Sequence, residues 1–388
     1  MKIAYVTTYD ATDRNAFGGR GYYMAQSLND QSTALEYIGP LEEKYSWLLK
    51  SKEYIYNNRV VKKRYTRERD RLLIMDYARQ ISRKLSGLDV DVIFSPMSLG
   101  SQPVAYLECK EPIVIWTDAT FAGALDFYPH LSSSMLCKET ISAGIANERA
   151  VLNRCDLAIY WSEWAARTAI EHYQIDPAKV KVVPVGPNLE CHRDLDDIRA
   201  MVDSRPSHTC KLLFLGMDWH RKGGDIAFEV AKELNNTGLN TELTVVGCQP
   251  LVDEPLPNYV KSLGYINKST PEGAYRIDRL LAEAHFLILP SRAEAFGMIF
   301  CEASSFGVPS LTAHVGGIPT AVRDGFNGKT FSRDASIEEY CTFIAELFSD
   351  YAQYKKLALS SFHEYRSRLN WSVAGQTVKH LLNELLSR

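Results

Sequence analysis

Short, continuously apolar runs alternate along this chain with longer stretches of helical periodicity. In the first half the runs are Ile3–Thr7, Val92–Ser95, Ile113–Trp116, Leu157–Trp161 and Val180–Val185. In the second half they are Leu212–Leu215, Leu243–Val246, Phe286–Leu289 and Pro309–Thr312. Runs this short, with no apolar/polar alternation, predict strands buried on both faces of a parallel sheet. The helical stretches between them predict βαβ units on open, doubly wound sheets. The two series flank a polar stretch, Pro187–Thr209, that holds a short helical candidate followed by a loop. The expected architecture is α/β, with Rossmann-like domains over residues 1–186 and 187–370 joined near Val185–Pro187. Val373, Val378, Leu381, Leu382 and Leu385 fall at helical spacing and predict a C-terminal helix over about 371–388. No internal repeat or low-complexity segment interrupts the pattern.

Composition narrows the classes. At 388 residues, 46% hydrophobic and 23% charged, the chain is long enough for two cores and too apolar for disorder. A formal charge of −3 argues against a nucleic-acid partner. The eight cysteines are dispersed, with no C-x-x-C pair and no zinc-ligand spacing, so no metal site is expected and a reducing compartment is. The opening residues lack signal-peptide architecture and no apolar run nears the ~20 residues that span a bilayer, so a cytoplasmic protein is expected. Residues 59–84 stand out with ten Lys and Arg against three acidic residues, and with Leu72, Leu73, Tyr77 and Ile81 as an apolar stripe. Two readings fit: peripheral contact with an anionic membrane face or acceptor, or a solvated amphipathic helix packed on its sheet.

Candidate chemistry concentrates where predicted strands end. After Phe286–Leu289 comes Pro290-Ser-Arg-Ala-Glu294-Ala-Phe296-Gly297-Met298, with a helix expected to begin near Phe296–Gly297. The carboxyl edge of a parallel strand feeding a helix start suits an anion, so the amides of Phe296, Gly297 and Met298 become candidates for phosphate oxygens. Glu294 precedes that helix and Glu302 lies within it, which allows a carboxylate on each side of a bound diphosphate. After Leu212–Leu215 comes Gly216-Met217-Asp218-Trp219-His220-Arg221-Lys222-Gly223-Gly224. Two cations at a helix start are disfavoured by the helix dipole unless a ligand uses them, so Arg221 and Lys222 are candidates for meeting a bound anion. After Ile3–Thr7, a glycine loop, Phe17-Gly18-Gly19-Arg20-Gly21, leads into a helix without matching G-x-G-x-x-G. Asp118 follows the strand Ile113–Trp116 and is either a polar site residue or a helix N-cap.

Glu294-x7-Glu302 with Phe296-Gly297 between them resembles the signature of retaining GT-B glycosyltransferases of family 4. The likeness extends to Thr312-Ala-His-Val-Gly-Gly317-Ile-Pro319 and Asp324-Gly-Phe-Asn-Gly328. It also takes in Val183-Pro184-Val185-Gly186-Pro187-Asn188, Trp161-Ser162-Glu163 and Val246-Gly247. The resemblance implies a GT-B fold whose two Rossmann-like domains face a central cleft, the C-terminal helix packing back onto the first domain. It implies metal-independent, cofactor-free transfer of a sugar from a nucleoside diphosphate sugar, UDP- or GDP-linked, to a saccharide, lipid-linked or small-molecule hydroxyl. It implies retention of configuration, with a donor phosphate oxygen taking the acceptor proton. In its terms Gly18, Gly19, Gly216, Phe296, Gly297, Met298 and Glu302 bind donor, Glu302 on the ribose. Glu294 positions the donor sugar, Lys222 fits the family's lysine, and Asp118 bonds donor or acceptor. Met217 stands where the family places an arginine, so Arg221 is expected to substitute. Competing readings are a nucleotide-sugar epimerase or phosphorylase on the same fold, or a non-catalytic nucleotide-sugar-binding subunit.

Overall fold

The computed structural model describes residues 1–60, 63–96 and 102–388. It divides into one unit of Met1–Val183 with Ala374–Arg388, and a second of Pro184–Val373. The first unit is built on six parallel strands: β1 (Lys2–Val6), β2 (Ala34–Ile38), β3 (Val92–Pro96), β4 (Ile113–Thr117), β5 (Leu157–Tyr160) and β6 (Val180–Val182). Their order is β2-β1-β3-β4-β5-β6. Its helices are α1 (Arg20–Asn29), α2 (Ser46–Ile55), α3 (Arg71–Leu85), α4 (Phe121–Ala124), α5 (Lys138–Arg154) and α6 (Glu163–Tyr173).

The second unit repeats the plan with β7 (Cys210–Leu215), β8 (Thr241–Val246), β9 (Val260–Ser262), β10 (Phe286–Leu289), β11 (Ser310–Ala313) and β12 (Gly328–Phe331). These are again parallel, in the order β12-β11-β10-β7-β8-β9. Its helices are α7 (Leu195–Ser204), α8 (Gly224–Asn236), α9 (Pro271–Glu283), α10 (Met298–Ser304), α11 (Ile318–Ala321), α12 (Ile337–Ser349) and α13 (Tyr351–Arg368), and the first residues of α14 (Trp371–Leu386), whose remainder belongs to the first unit. Strands β3, β4, β5, β10 and β11 are buried along their whole length, which is why they read as unbroken apolar runs.

In each sheet the chain reverses its direction of travel at one point, between β1 and β3 in the first and between β7 and β10 in the second. Loops at the carboxyl ends of the strands splay apart at such a point and leave a crevice for ligands. The glycine loop follows β1, the cationic loop follows β7, and the Glu294 loop follows β10.

The polar stretch between the two strand series is structural. Asp194 and Asp197 form a capping box that starts α7. Just beyond it Arg205 is buried, and its guanidinium donates to the carbonyls of Ala282 (3.1 Å), Phe306 (2.8 Å) and Gly307 (2.8 Å) and to the Tyr354 hydroxyl (2.8 Å). The last helix, α14, begins in the second unit, where the Trp371 indole donates to the Pro187 carbonyl at 2.7 Å. Its later turns belong to the first unit and pack on α1. A side chain at Gly375 would strike the Ser27 carbonyl, and Lys379 donates to the Gln31 carbonyl at 2.5 Å.

Of the apolar stripe expected in residues 59–84, Leu73, Tyr77 and Ile81 lie in the first unit's core and only Leu72 is exposed. The helical part of that segment, α3, is therefore packed on its sheet. Residues 61 and 62 of the segment lie outside the described residues. Among the described residues no helix is long and apolar enough to cross a membrane.

Candidate functional site

Two loops meet at the switch point of the second sheet. The loop after β7 turns on Asp218, whose carboxylate accepts from the Arg221 amide at 3.0 Å and whose carbonyl accepts from the Lys222 amide at 3.0 Å. Trp219 anchors it from below: its ring is buried, lies 5.4 Å from Phe214, and fills the space a side chain at Gly224 would need. Gly223 has a left-handed backbone (φ 75°), and a Cβ there would come within 2.2 Å of the Pro290 carbonyl oxygen. Only glycine satisfies both requirements, and the contact presses this loop against the one after β10. The join is reinforced by the Arg292 amide, which donates to the Arg221 carbonyl at 2.7 Å. The Arg292 guanidinium also grips Asp225 through bonds of 2.8 and 2.6 Å.

The join brings Lys222 onto Glu294 as an ion pair, both side chains being nearly nine-tenths buried. Arg221 lies beside them, 3.9 Å from the same carboxylate, and donates to the Ala293 carbonyl at 3.0 Å. The Glu294 backbone is held in turn by the Gly317 amide at 3.0 Å, so the loop after β11 supports the same residue. Gly297 caps α10 with φ 85°, and a Cβ there would collide with the Phe300 ring and approach the Glu294 side chain. Glycine is required by backbone and by space, and it leads into Met298, where the first N–H groups of a helix have no partner within it. Phe296, just before it, is buried.

Glu302 is buried on α10 and forms an ion pair with Lys268, from the turn that precedes α9. Lys268 escaped the sequence reading, as did Arg292 and Trp219. The turn Asn267-Lys268-Ser269-Thr270 is legible as polar, but nothing in its pattern says that it faces a carboxylate 34 residues further on. Gly216 lies against the Lys222 stem, where a Cβ would come within 3.0 Å of it, and Met217 is exposed. Lys222, Arg221, Glu294, Gly216, Phe296, Gly297, Met298 and Glu302 thus all belong to this switch point or to the short helix that leaves it. Chemically, two cations here share one carboxylate.

The remaining candidates belong to the first unit. Gly18 (φ 64°) and Gly19 (φ 80°) take the left-handed conformation that leads into α1, with Gly19 as its N-cap. Gly21 is wedged against Tyr9, whose hydroxyl a Cβ would meet at 2.2 Å, and its carbonyl accepts from the Tyr5 hydroxyl at 2.8 Å. Arg20 reaches Asp118, just past β4, at 3.3 Å. Asp118 is not the cap of the next helix. Thr120 is, accepting from the Gly123 amide at 3.0 Å. Among the described residues no group of His, Cys, Asp or Glu is placed to hold a metal ion.

Comparison with known proteins bears on this arrangement. The family described as "Glycosyl transferases group 1" matches residues 203–361, and "Glycosyltransferase Family 4" matches residues 34–190. The chain belongs to the family 4, group 1 glycosyltransferases. One relative, D-inositol 3-phosphate glycosyltransferase of Nocardiopsis dassonvillei, is 28% identical over 62% of this chain and 58% of its own length. The matched region is thus under two thirds of that relative. A glycosyltransferase from Rickettsia africae superposes with a TM-score of 0.67 at 15% identity, over 100% of this chain and 99% of that one. Anabaena HepE, solved in complex with UDP, superposes with a TM-score of 0.64 at 15% identity, over 99% of this chain and 100% of that one. The fold of this family 4 chain is GT-B, as its motifs implied.

Proposed function

We propose that this family 4 glycosyltransferase moves a sugar from a nucleoside diphosphate sugar, UDP- or GDP-linked, to a hydroxyl acceptor with retention of configuration. The observation that carries this reading is the convergence of Lys222 and Arg221 on Glu294 at the switch point of the second sheet. Charge grows on the departing diphosphate as the glycosidic bond lengthens, and cations already fixed beside it stabilise that charge without reorganisation. The donor phosphates draw Lys222 and Arg221 away from Glu294, which frees its carboxylate for the hydroxyls of the donor sugar. The Gly297 and Met298 amides add hydrogen bonds to phosphate oxygens, and Glu302 takes the ribose hydroxyls. Arg221 stands in for the arginine absent at Met217.

For the first unit the reading takes its assignments from the family resemblance: Gly18 and Gly19 on donor phosphates, Asp118 on donor or acceptor. The acceptor proton passes to a donor phosphate oxygen, so neither a metal nor a protein base is required. UDP bound in HepE makes UDP-sugars the first donors to assay. The D-inositol 3-phosphate glycosyltransferase relative makes a phosphorylated cyclitol the first acceptor.

The test is turnover of Lys222→Ala and Glu294→Ala with the donor that stabilises the wild type most in a thermal-shift screen. A loss of ~10²–10³-fold in kcat is expected for Lys222→Ala, with turnover of the wild type unaffected by EDTA. Near-normal kcat in both variants, or abolition by EDTA, overturns the assignment. Epimerised donor in the absence of acceptor would favour the epimerase.

A further inference from the structure

Helix α2 packs on the first unit through very little of its surface. Leu49 is its one buried residue, while Trp47 (72%), Tyr54 (57%), Ile55 (45%) and Leu48 (41%) are exposed. Trp47 and Tyr54, and Leu48 and Ile55, are each seven residues apart, about two turns, so the four share one face of the helix. Leu72, at the start of α3, extends the patch, and a pocket of about 460 Å³ opens between the two helices, lined by Leu48, Ile55, Leu72, Lys52 and Asp70. An exposed apolar cluster of this kind on a chain's surface marks a contact site.

The charges around the patch say what it contacts. Residues 44–72 hold ten Lys and Arg against three acidic residues. The acids of this region are already engaged. Asp70 and Glu139 pair with Lys52 at 2.8 and 2.5 Å, and Glu43 and Glu53 lie 3.0 and 3.9 Å from Arg67. Among the described residues Lys44, Lys50, Arg64 and Arg71 are exposed and form no ion pair. The spare charge is therefore positive and sits beside apolar side chains. Trp and Tyr, with an apolar ring and a polar edge, and Lys and Arg, with apolar stems and charged tips, are the residue types that settle at a lipid headgroup boundary.

We infer that the exposed face of α2 docks this protein on an anionic bilayer surface, Trp47, Tyr54 and Ile55 entering the headgroup region and Lys44, Lys50 and Arg71 meeting lipid phosphates. Apolar insertion and basic attraction are the two signals that stable peripheral binding needs. From α3 the contact takes only the first turn, Arg71 and Leu72; Leu73, Tyr77 and Ile81 further along that helix are buried in the core.

Co-sedimentation with phosphatidylcholine vesicles, with and without about a third phosphatidylglycerol, tests the inference. The wild type is expected to sediment with the anionic vesicles, weakly with the neutral ones, and less at high salt. The combined Trp47→Ser, Tyr54→Ser, Ile55→Ser variant is expected to bind roughly tenfold more weakly with an unchanged melting temperature. In the wild type, lipid-borne bromine is expected to quench tryptophan emission, and Trp47→Phe to abolish that quenching. Failure to bind anionic vesicles, equal binding by the triple variant, or loss of binding through Arg79→Glu, Arg83→Glu, Lys84→Glu alone overturns it. So does quenching that persists in Trp47→Phe.

Discussion

Glu148 is a buried carboxylate in the core of the first unit. Its carboxylate, buried on α5, accepts from the Phe121 amide at 2.6 Å and from the Tyr173 hydroxyl. Arg69 spreads its guanidinium over the Phe121 ring, 4.4 Å from the centroid. Burial pushes Glu148 up to about 7, and burial likewise holds Arg69 down to about 10. An unfolded glutamate titrates near ~4.3, so between that value and 7 the native protein holds a proton that the unfolded chain has released. This stabilisation is complete below the unfolded value and is lost as pH rises through 7. Glu148→Gln mimics the protonated form. Urea denaturation of this variant is expected to show a flatter pH dependence, with a gain over wild type above pH 7 of at most about 4 kcal/mol. A wild-type profile as flat as the variant's would contradict the assignment. Nothing in the sequence distinguishes Glu148 from any other helical acid, because its peculiarity comes from Tyr173 and the start of α4.

At the scale of elements, legibility followed burial. All nine runs read as strands contain strands, and three strands escaped: β2, β9 and β12. Each lies at the edge of its sheet. An edge strand has one neighbour and more solvent, so it carries polar residues. β2 has four of its five residues away from full burial, and β9 is Val-Lys-Ser. The site loops were legible for the opposite reason, since glycines and charges at the end of an apolar run are conspicuous. Their partners, such as Lys268 on Glu302, were not, because they come from turns far off in sequence. Arg205 shows the same limit inside a stretch that reads as a connector. Arg205→Met would leave four acceptors without a donor, and a loss on the order of 3–5 kcal/mol is expected. That corresponds to a melting temperature lower by roughly 10 °C, measurable by calorimetry.

Across the whole molecule, the two units carry acid responses of opposite sign. In the second unit His285 is buried, its Nδ1 accepting from the Lys211 amide at 3.0 Å, and burial holds it down to about 3. A group lowered in this way contributes stability that is intact above its unfolded value near ~6.5 and drains away as pH falls toward 3. Glu148 does the reverse in the first unit. Hydrogen exchange followed by mass spectrometry at pH 7 and pH 5, corrected for intrinsic rates, is expected to show protection falling in β7 and β10 while it rises in α5. His285→Gln is expected to remove the fall, and equal changes in both units would refute the division. The Arg205 clasp bears on any attempt to recombine this scaffold. Four groups, on two later helices and in the turn after a third, are tied together by a residue upstream of β7. A chimera joined at Thr209, where the apolar repeat visibly restarts, would import a lobe without its keystone. A graft spliced ahead of Cys191 would carry it along.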